Sequence, residues 1–203
     1  MAGLLLAAGG GRRLGGRPKA LLDHRGRPLV EHAARVLREG GCGPVHIVLG
    51  AAADTVREVA DLATYETSDN PDWAQGMGSS LRVGLTALAG SGADAVVVSL
   101  VDQPGIGAAA VARVVAAYDG ADALAAAAYG GRRGHPVLFG AARWADIAAS
   151  AEGDRGARDY LRRHTDAIRL VECADVADAY DIDTPEDLHR LEGPSARDAG
   201  NGE

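Results

Sequence analysis

The feature that most constrains the fold is an alternation between short apolar runs and stretches of helical periodicity. The apolar runs have the length of buried strands, and they cover residues 4–8, 45–50, 95–101, 123–128, 136–140 and 168–172. Amphipathic helices are predicted between them at 29–38, 52–62, 79–89, 107–118 and 155–164. Such alternation predicts an α/β protein in which helices cover both faces of a mainly parallel sheet.

Length and composition indicate one folded domain. The chain has 203 residues, of which 47% are hydrophobic and 24% are charged, a balance typical of a globular protein rather than a disordered one. No internal repeat or long linker divides residues 1–192. The tail at 193–203 has no apolar periodicity, and we expect it to be disordered.

Charge and cysteine content narrow the functional classes. A net charge of −7 argues against a general affinity for nucleic acid or for an anionic membrane. The run at 4–8 is too short to span a membrane, and no basic residue precedes it as in a signal peptide. Cys42 and Cys173 are too few for a disulfide framework or a four-ligand zinc site. We therefore expect a cytoplasmic protein with two structural thiols.

The stretch "LLLAAGGGRRLGGRPKALL" at 4–22 joins a predicted strand to a glycine loop and to cations. It does not match the dinucleotide fingerprint, because Leu14 stands where the third glycine is required. It does not match the P-loop either, because Gly16 stands where lysine is required. Consecutive glycines let backbone N–H groups surround an anion, and Arg13 and Lys19 add charge. A surface glycine turn with solvated cations fits the same residues.

Six motifs together resemble the nucleotidyltransferases of the molybdenum cofactor cytidylyltransferase type, the MobA-like NTP transferases. They are the opening stretch, "NPDWAQGMGSSLRVGL" (70–85), "LVDQP" (100–104), "GHPVLF" (134–139), "GDRGARDYL" (153–161) and "DIDTPEDL" (181–188). Each is weak alone, but they occur in the family's order along nearly the whole chain. Gly11, Leu14 and a longer gap between Arg13 and Lys19 depart from the common pattern without removing a charge.

The resemblance implies a Rossmann-like three-layer sandwich and transfer of a nucleotidyl group from an NTP to a phosphate monoester, with release of pyrophosphate. Alignment of the substrates and neutralisation of their charge supply most of the catalysis in such a reaction. Arg13, Lys19 and Asp102 are the implied catalytic residues. The implied nucleotide-binding residues are Leu6, Ala7, Ala8, Gly9, Gly10, Gly11, Arg12, Arg13, Lys19, Gly78, Ser79 and Ser80.

The implied cofactor is Mg²⁺, which prefers one or two carboxylates together with phosphate oxygens and waters. Asp102 follows the strand at 95–101, and Asp183 is the second candidate ligand ahead of Asp181. Asp183 also fits a helix N-terminal region, because Thr184-x-x-Asp187 resembles a capping box. Both readings stay open.

The remaining motifs have structural alternatives too. Ser79 and Ser80 open a predicted helix, so they fit N-caps as well as base contacts. For the acceptor, the resemblance implies Gly134, His135, Pro136, Asp154 and Arg155, with Arg132, Arg133 and Arg158 nearby. A basic hairpin rim and a capped helix with solvated arginines explain the same segments. Trp73 and Trp144 are more typical of core or lid anchors than of stacking platforms.

The hypothesis from sequence is an Mg²⁺-dependent enzyme that moves CMP from CTP to the phosphate of molybdopterin. The sequence "LAAG" at 6–9, rather than the "LAGG" usual in guanylyltransferases, favours cytosine. The alternatives are a guanylyltransferase or another NTP transferase with a different small phosphorylated acceptor, and a non-catalytic cofactor-binding module that assists maturation. A molybdenum hydroxylase is the expected client in the first case.

Overall fold

The computed structural model describes residues 1–191 and contains a seven-stranded sheet with strand order β5-β4-β1-β6-β8-β7-β9. Its strands are β1 (Ala2–Ala7), β4 (Val45–Leu49), β5 (Glu66–Asp69), β6 (Ala95–Leu100), β7 (Leu124–Tyr129), β8 (Arg132–Gly140) and β9 (Arg169–Glu172), and β2 (Asp23–His24) pairs separately with β3 (Arg27–Pro28). The helices are α1 (Leu29–Glu39), α2 (Ala53–Val59), α3 (Met77–Leu88), α4 (Ala108–Val115), α5 (Trp144–Ser150) and α6 (Arg158–Arg163).

The sheet is mainly parallel, as the alternation predicts. Strands β5, β4, β1 and β6 run parallel, and β7 runs parallel to β9. Strand β8 runs antiparallel to β7 because a two-glycine turn, Gly130-Gly131, connects the two strands, and it is antiparallel to β6 as well. Both glycines have positive φ angles, of 60° and 75°, the requirement of a type I′ hairpin turn.

Helices cover both faces, which gives the three-layer Rossmann-like sandwich. On one face, α1, α2 and α4 bury apolar side chains against β1, β4 and β6. On the other face, α3, α5 and α6 pack on the same strands and on β8. Strands buried on both faces explain why their sequences are continuous apolar runs rather than alternating patterns.

Four elements were not predicted from sequence: β2, β3, β5 and α5. Strand β5 has the polar sequence "ETSD" and lies at an edge of the sheet, so it lacks the apolar run of a buried strand. The β2–β3 pair is too short for a periodic pattern, and α5 follows directly from the end of β8 through a 3-10 turn. The expected tail at 193–203 lies outside the described residues, so it stays a prediction.

Several polar loops lie together at the carboxyl ends of the parallel strands. The parallel strands β1 and β6 end there, at the glycine loop and at Asp102, and the hairpin that opens β8 begins there. Ligands of open α/β sheets bind at this edge. Within residues 1–191, no helix combines the length and the apolar character needed to cross a membrane.

Candidate active site

A cavity of about 1150 Å³ lies at the carboxyl edge of the sheet. Most of the residues singled out from sequence line it: Leu6, Ala8, Gly9, Gly10, Gly11, Arg12, Arg13, Lys19, Ser80, Asp102, Gly134, His135, Asp154, Arg155 and Asp183. Ala7, Gly78, Ser79 and Pro136 do not line it. A cavity of this volume is large enough for a nucleotide and a second small molecule.

The glycine loop leaves β1 and turns sharply. Gly11 has φ 60° and begins a 3-10 turn in which the N–H groups of Leu14 and Gly16 donate to its carbonyl at 2.8 and 3.0 Å. A Cβ on Gly11 would lie 1.9 Å from the carbonyl oxygen of Arg17, so a larger residue is excluded. The turn brings Arg13 and Lys19 back to the same cavity.

Lys19 is the centre of the site's charged cluster. Its Nζ donates to Asp102 Oδ2 at 2.6 Å and to Asp183 Oδ1 at 2.5 Å, and Arg13 donates to Asp183 Oδ2 at 2.9 Å. Asp102 and Asp183 are therefore brought together although they are far apart in sequence. The side chains of Lys19 and Asp102 are only 14% and 19% exposed, so solvent screens their pairing weakly.

The protonation behaviour of the cluster follows from burial and pairing. Burial dominates at Asp102 and raises the pKa of that carboxyl despite the charge of Lys19. Burial opposes the charge of Lys19 as well, but Asp102 and Asp183 outweigh it and raise the pKa of Lys19. At Asp183, hydrogen bonds and charge from Lys19 and Arg13 overcome burial and lower the pKa. Two carboxylates thus share one ammonium group.

The donor set fits a hard divalent cation. The Oδ1 atom of Asp102 is buried and has no hydrogen-bond partner within residues 1–191, and such an oxygen is a suitable ligand for a metal ion. Asp181 and Asp183 are close enough to influence the pKa of Asp102. No group of three or more His, Cys, Asp or Glu side chains among residues 1–191 is arranged to hold a metal. Mg²⁺ needs only one or two carboxylates when phosphate oxygens complete its shell.

The segment around Asp183 forms the turn that Thr184 and Asp187 predict, and the role of Asp183 as a metal ligand stays a prediction. Asp187 Oδ2 accepts hydrogen bonds from the backbone N–H groups of Asp183 and Thr184 and from the Thr184 hydroxyl. Asp187 therefore organises this turn, and the carboxylate of Asp183 remains free to meet Lys19. Asp181 lines the cavity but accepts a hydrogen bond from Gln103 at 2.8 Å.

The start of α3 separates the predicted base contacts into two groups. Ser80 lines the cavity, whereas the hydroxyl of Ser79 donates to the carbonyl oxygen of Gly76 at 2.8 Å. Neither serine is the N-cap, because Gly76 holds that position and α3 has no side-chain cap. A Cβ on Gly78 would lie 2.7 Å from the backbone nitrogen of Glu152, so this glycine allows close packing against that segment. The side chain of Ala7 is buried in the core.

Four arginines also line the cavity, Arg132, Arg133, Arg155 and Arg158, together with His135. Burial, followed by the charges of Arg133 and Arg158, lowers the pKa of His135 to about 4 against the opposing charge of Asp181. His135 is therefore neutral at pH 7, and its backbone carbonyl accepts a hydrogen bond from the Tyr129 hydroxyl at 2.7 Å. Pro136 lies next to this group without lining the cavity.

Several lining residues were missed or assigned differently from sequence. Trp73 lines the cavity, whereas Trp144 is buried in the core and donates to the Phe139 carbonyl. Gln103 and Tyr129 were not singled out, although Gln103 directly follows Asp102 and Tyr129 directly precedes the hairpin turn. Their positions next to recognised motifs are the signal that could have identified them.

Known proteins are similar to this chain over nearly its whole length. The nicotine blue oxidoreductase of Paenarthrobacter nicotinovorans is 42% identical over 196 residues, which cover 93% of this chain and 95% of the relative. The molybdenum cofactor guanylyltransferase of Cereibacter sphaeroides is 34% identical over 200 residues, which cover 97% of this chain and 98% of the relative.

Solved structures share the fold over nearly the whole chain. The homologue of Mycobacterium tuberculosis Rv0371c from Mycobacterium sp. strain JC1 has a TM-score of 0.79 at 32% identity, with 94% of this chain and 93% of that chain covered. Rv0371c from Mycobacterium tuberculosis H37Rv in complex with manganese has a TM-score of 0.77 at 28% identity, with 94% and 96% covered. Residues 3–168 match one family description, and the chain belongs to that family of nucleotidyltransferases, the MobA-like NTP transferase domain family.

Proposed function

We propose that the protein is an Mg²⁺-dependent cytidylyltransferase that moves CMP from CTP to the phosphate of a molybdopterin-type acceptor. The observation that carries this proposal is the cluster of Lys19, Asp102 and Asp183 beside the glycine loop, in a cavity that four further arginines also line. A triphosphate needs cations and backbone donors, and a phosphorylated acceptor needs a second anion site. The cavity offers both.

The reaction forms a bond between an acceptor phosphate oxygen and the α-phosphorus of CTP, and it breaks the bond from that phosphorus to the oxygen of the departing pyrophosphate. The attacking oxygen is already ionised, so no general base is required. Backbone N–H groups of Gly9 to Gly11, with Arg13 and Lys19, bind and orient the triphosphate. Asp102 and Asp183 would hold Mg²⁺, which supplies charge neutralisation at the phosphates.

The choice of CTP rests on sequence rather than on a bound nucleotide. "LAAG" at 6–9 favours cytosine, whereas the 34% identical relative is named a molybdenum cofactor guanylyltransferase. Titration of the protein with CTP, GTP, ATP and UTP in the presence of Mg²⁺ tests this directly. We expect CTP to bind most tightly. Preferential binding of GTP would mean that the group transferred at this site is GMP rather than CMP.

The arginines that line the cavity indicate that the acceptor carries a phosphate. Arg133, Arg155 and Arg158 line the cavity and suit the phosphate of the acceptor. The names of relatives connect this family with the molybdenum cofactor, and a molybdenum hydroxylase is the client enzyme that would receive a cytidylylated cofactor. Release of pyrophosphate only when CTP and a molybdopterin phosphate are both present would support the assignment.

A redox function is the second candidate, because the 42% identical relative is named a nicotine blue oxidoreductase. A glycine loop also suits the pyrophosphate of a nicotinamide dinucleotide, but hydride transfer gives no role to paired carboxylates around Lys19. Oxidation of NADH or NADPH by a quinone-like dye in the presence of the protein would favour this candidate. A non-catalytic maturation module is the third alternative, and Mg²⁺-dependent release of pyrophosphate would contradict it.

The Asp102→Asn variant tests the role of the metal carboxylate. We expect turnover to fall by about 10² to 10³-fold, because one group that stabilises charge in the transition state is lost. Pyrophosphate release at saturating substrates measures the change. Asp175→Asn is the matched control, since Asp175 pairs with Arg113 on the surface and does not line the cavity. Equal turnover of the native protein and Asp102→Asn would contradict the assignment.

A further inference from the structure

Asn70 does not line the cavity, but it bonds to three segments beside it: the end of β4, the turn after β5 and the start of α3. The residue follows β5 and is 2% exposed. Its backbone N–H donates to the Leu49 carbonyl at 2.8 Å, and its Oδ1 accepts from the Asp72 N–H at 3.0 Å. Its Nδ2 donates to the hydroxyls of Ser79 and Ser80 at 2.8 and 2.9 Å. Every polar group of its side chain is therefore engaged.

These bonds fix the position of two cavity-lining side chains. Ser80 is held directly through its hydroxyl, which accepts from Asn70. Trp73 is held through its backbone, because its N–H lies 3.3 Å from the Asn70 carbonyl oxygen in the turn after β5. Ser79, the third partner, lies 2.8 Å from the Gly76 carbonyl oxygen and so joins the turn to the start of α3. One buried amide thus sets the distance between the turn and the helix.

Trp73 in turn packs closely against the glycine loop. A Cβ on Gly10 would lie 2.9 Å from two atoms of the indole ring, and a Cβ on Gly50 would lie 2.6 Å from the Trp73 Cβ. Only glycine allows this approach at both positions. Trp73 and Ser80 both line the cavity, as do Leu6 and Ala8, and a Cβ on Gly50 would meet Ala8 at 2.7 Å as well as Trp73.

An aromatic ring and a fixed hydroxyl are suited to a nucleobase rather than to a phosphate. A ring offers stacking, which is worth about 1–3 kcal/mol per base. A hydroxyl held in place discriminates between bases, because a wrong base leaves it without a partner. The phosphate end of the site relies instead on Arg13, Lys19 and the loop, none of which bonds to Asn70.

We propose that Asn70 is a positioning residue that sets the selectivity of the site for the nucleobase of the NTP. The inference rests on the proposed nucleotide transfer. An asparagine is required because its carboxamide supplies two donors and one acceptor together. Aspartate has the same shape but cannot donate to Ser79 and Ser80, and alanine removes the side-chain bonds to Ser79, Ser80 and the Asp72 N–H.

The test is equilibrium binding of CTP, GTP and inorganic tripolyphosphate to the native protein and to Asn70→Ala and Asn70→Asp. We expect the ratio of CTP to GTP affinity to move toward one by about tenfold in both variants, while tripolyphosphate binds within about twofold of the native affinity. Transfer kinetics should show a raised KM for the preferred NTP with little change in kcat. Val114→Ala is the control, because Val114 is fully buried in α4 and does not line the cavity.

The control separates positioning from stability. Val114→Ala should lower the Tm and leave the affinity ratio unchanged. If Asn70→Ala does not fold, Asn70→Asp gives the same comparison at the same side-chain size. An unchanged ratio in Asn70→Asp, or an equal loss of affinity for all three ligands, would overturn this inference alone. Failure of the native protein to bind any NTP would overturn the proposed function, and this inference with it.

Discussion

At the scale of single residues, Lys19 is the group on which the site depends most. In the absence of ligand its ammonium neutralises Asp102 and Asp183, the two carboxylates that would also hold a cation. A divalent cation entering alone meets a positive charge already in place. A triphosphate gives Lys19 another anionic partner, so nucleotide and cation should bind with positive coupling.

Substitution of Lys19 should therefore change two affinities in opposite directions. In Lys19→Met we expect Mn²⁺, in the absence of nucleotide, to bind at least about tenfold more tightly, because about 1.4 kcal/mol of repulsion is removed. Tripolyphosphate should bind more weakly. Electron paramagnetic resonance of free Mn²⁺ and calorimetry with tripolyphosphate measure the two effects.

The control for this experiment is Arg17→Met, which removes one positive charge from the same loop at an exposed position outside the cavity lining. Its Mn²⁺ affinity should stay near that of the native protein. Weaker Mn²⁺ binding by Lys19→Met would show that the lysine does not compete with the cation.

At the scale of elements, α3 packs closely against β1 beside the cavity. Both elements contribute lining residues, Ser80 from α3 and Leu6 from β1. The contact is close because Gly84 lies in the middle of α3, where a Cβ would lie 2.4 Å from Leu4 Cδ1. Leu4 is completely buried and has no room to move aside.

Gly84→Ala is expected to destabilise the protein although alanine favours helix. The helix preference stabilises by about 0.5–1 kcal/mol, but overpacking against a fixed side chain costs about 1–3 kcal/mol. The free energy of unfolding should fall by about 1–2 kcal/mol, as measured by chemical denaturation. Gly90→Ala, where a Cβ would meet nothing within 4 Å, should change it by less than about 0.5 kcal/mol. A stabilised Gly84→Ala would show that α3 can shift from the sheet.

At the scale of the whole molecule, burial of titratable groups makes stability depend on pH. Burial lowers the pKa of His32 to about 4, with smaller contributions from the charges of His24, Arg35 and Arg25, and against a hydrogen bond to the Pro104 carbonyl. His135 is lowered to about 4 as well. Each folded pKa lies below the unfolded value of 6.5, so the unfolded chain binds protons first as the pH falls.

The free energy of unfolding should therefore decrease as the pH falls from about 6.5 to about 4, by up to about 1.4 kcal/mol per pH unit for each histidine. The raised pKa of Asp102 instead increases the free energy of unfolding as the pH falls. A variant is therefore needed to isolate the contribution of His32. His32→Gln should make the pH dependence shallower in this window. Denaturation at several pH values measures it.

Leu37→Val is the control for the pH experiment, because Leu37 lies on the same helix and is not titratable. It should lower stability equally at every pH and leave the slope unchanged. Identical slopes for His32→Gln and the native protein would mean that His32 does not titrate in this range.

Much of the fold and part of the site could be predicted from local sequence. Apolar runs located the buried strands β1, β4, β6, β7 and β8 and also the exposed edge strand β9, and the glycines and cations after β1 indicated an anion site. Strand β5 could not be located, because its sequence "ETSD" contains no apolar run. Asn70 directly follows β5, so without a predicted strand the sequence did not indicate where Asn70 lies.

The sequence by itself determined the alternation of strands and helices, the glycine loop and the identity of the charged residues. Only the tertiary structure decided which of them meet. Parallel strands bring distant carboxyl ends to one edge, so Lys19 contacts Asp102 and Asp183 across separations of 83 and 164 residues. The tertiary structure also divided Ser79 from Ser80, since a helix turns neighbouring side chains about 100° apart. Ser80 therefore lines the cavity, while the Ser79 hydroxyl donates to the Gly76 carbonyl at the start of the same helix.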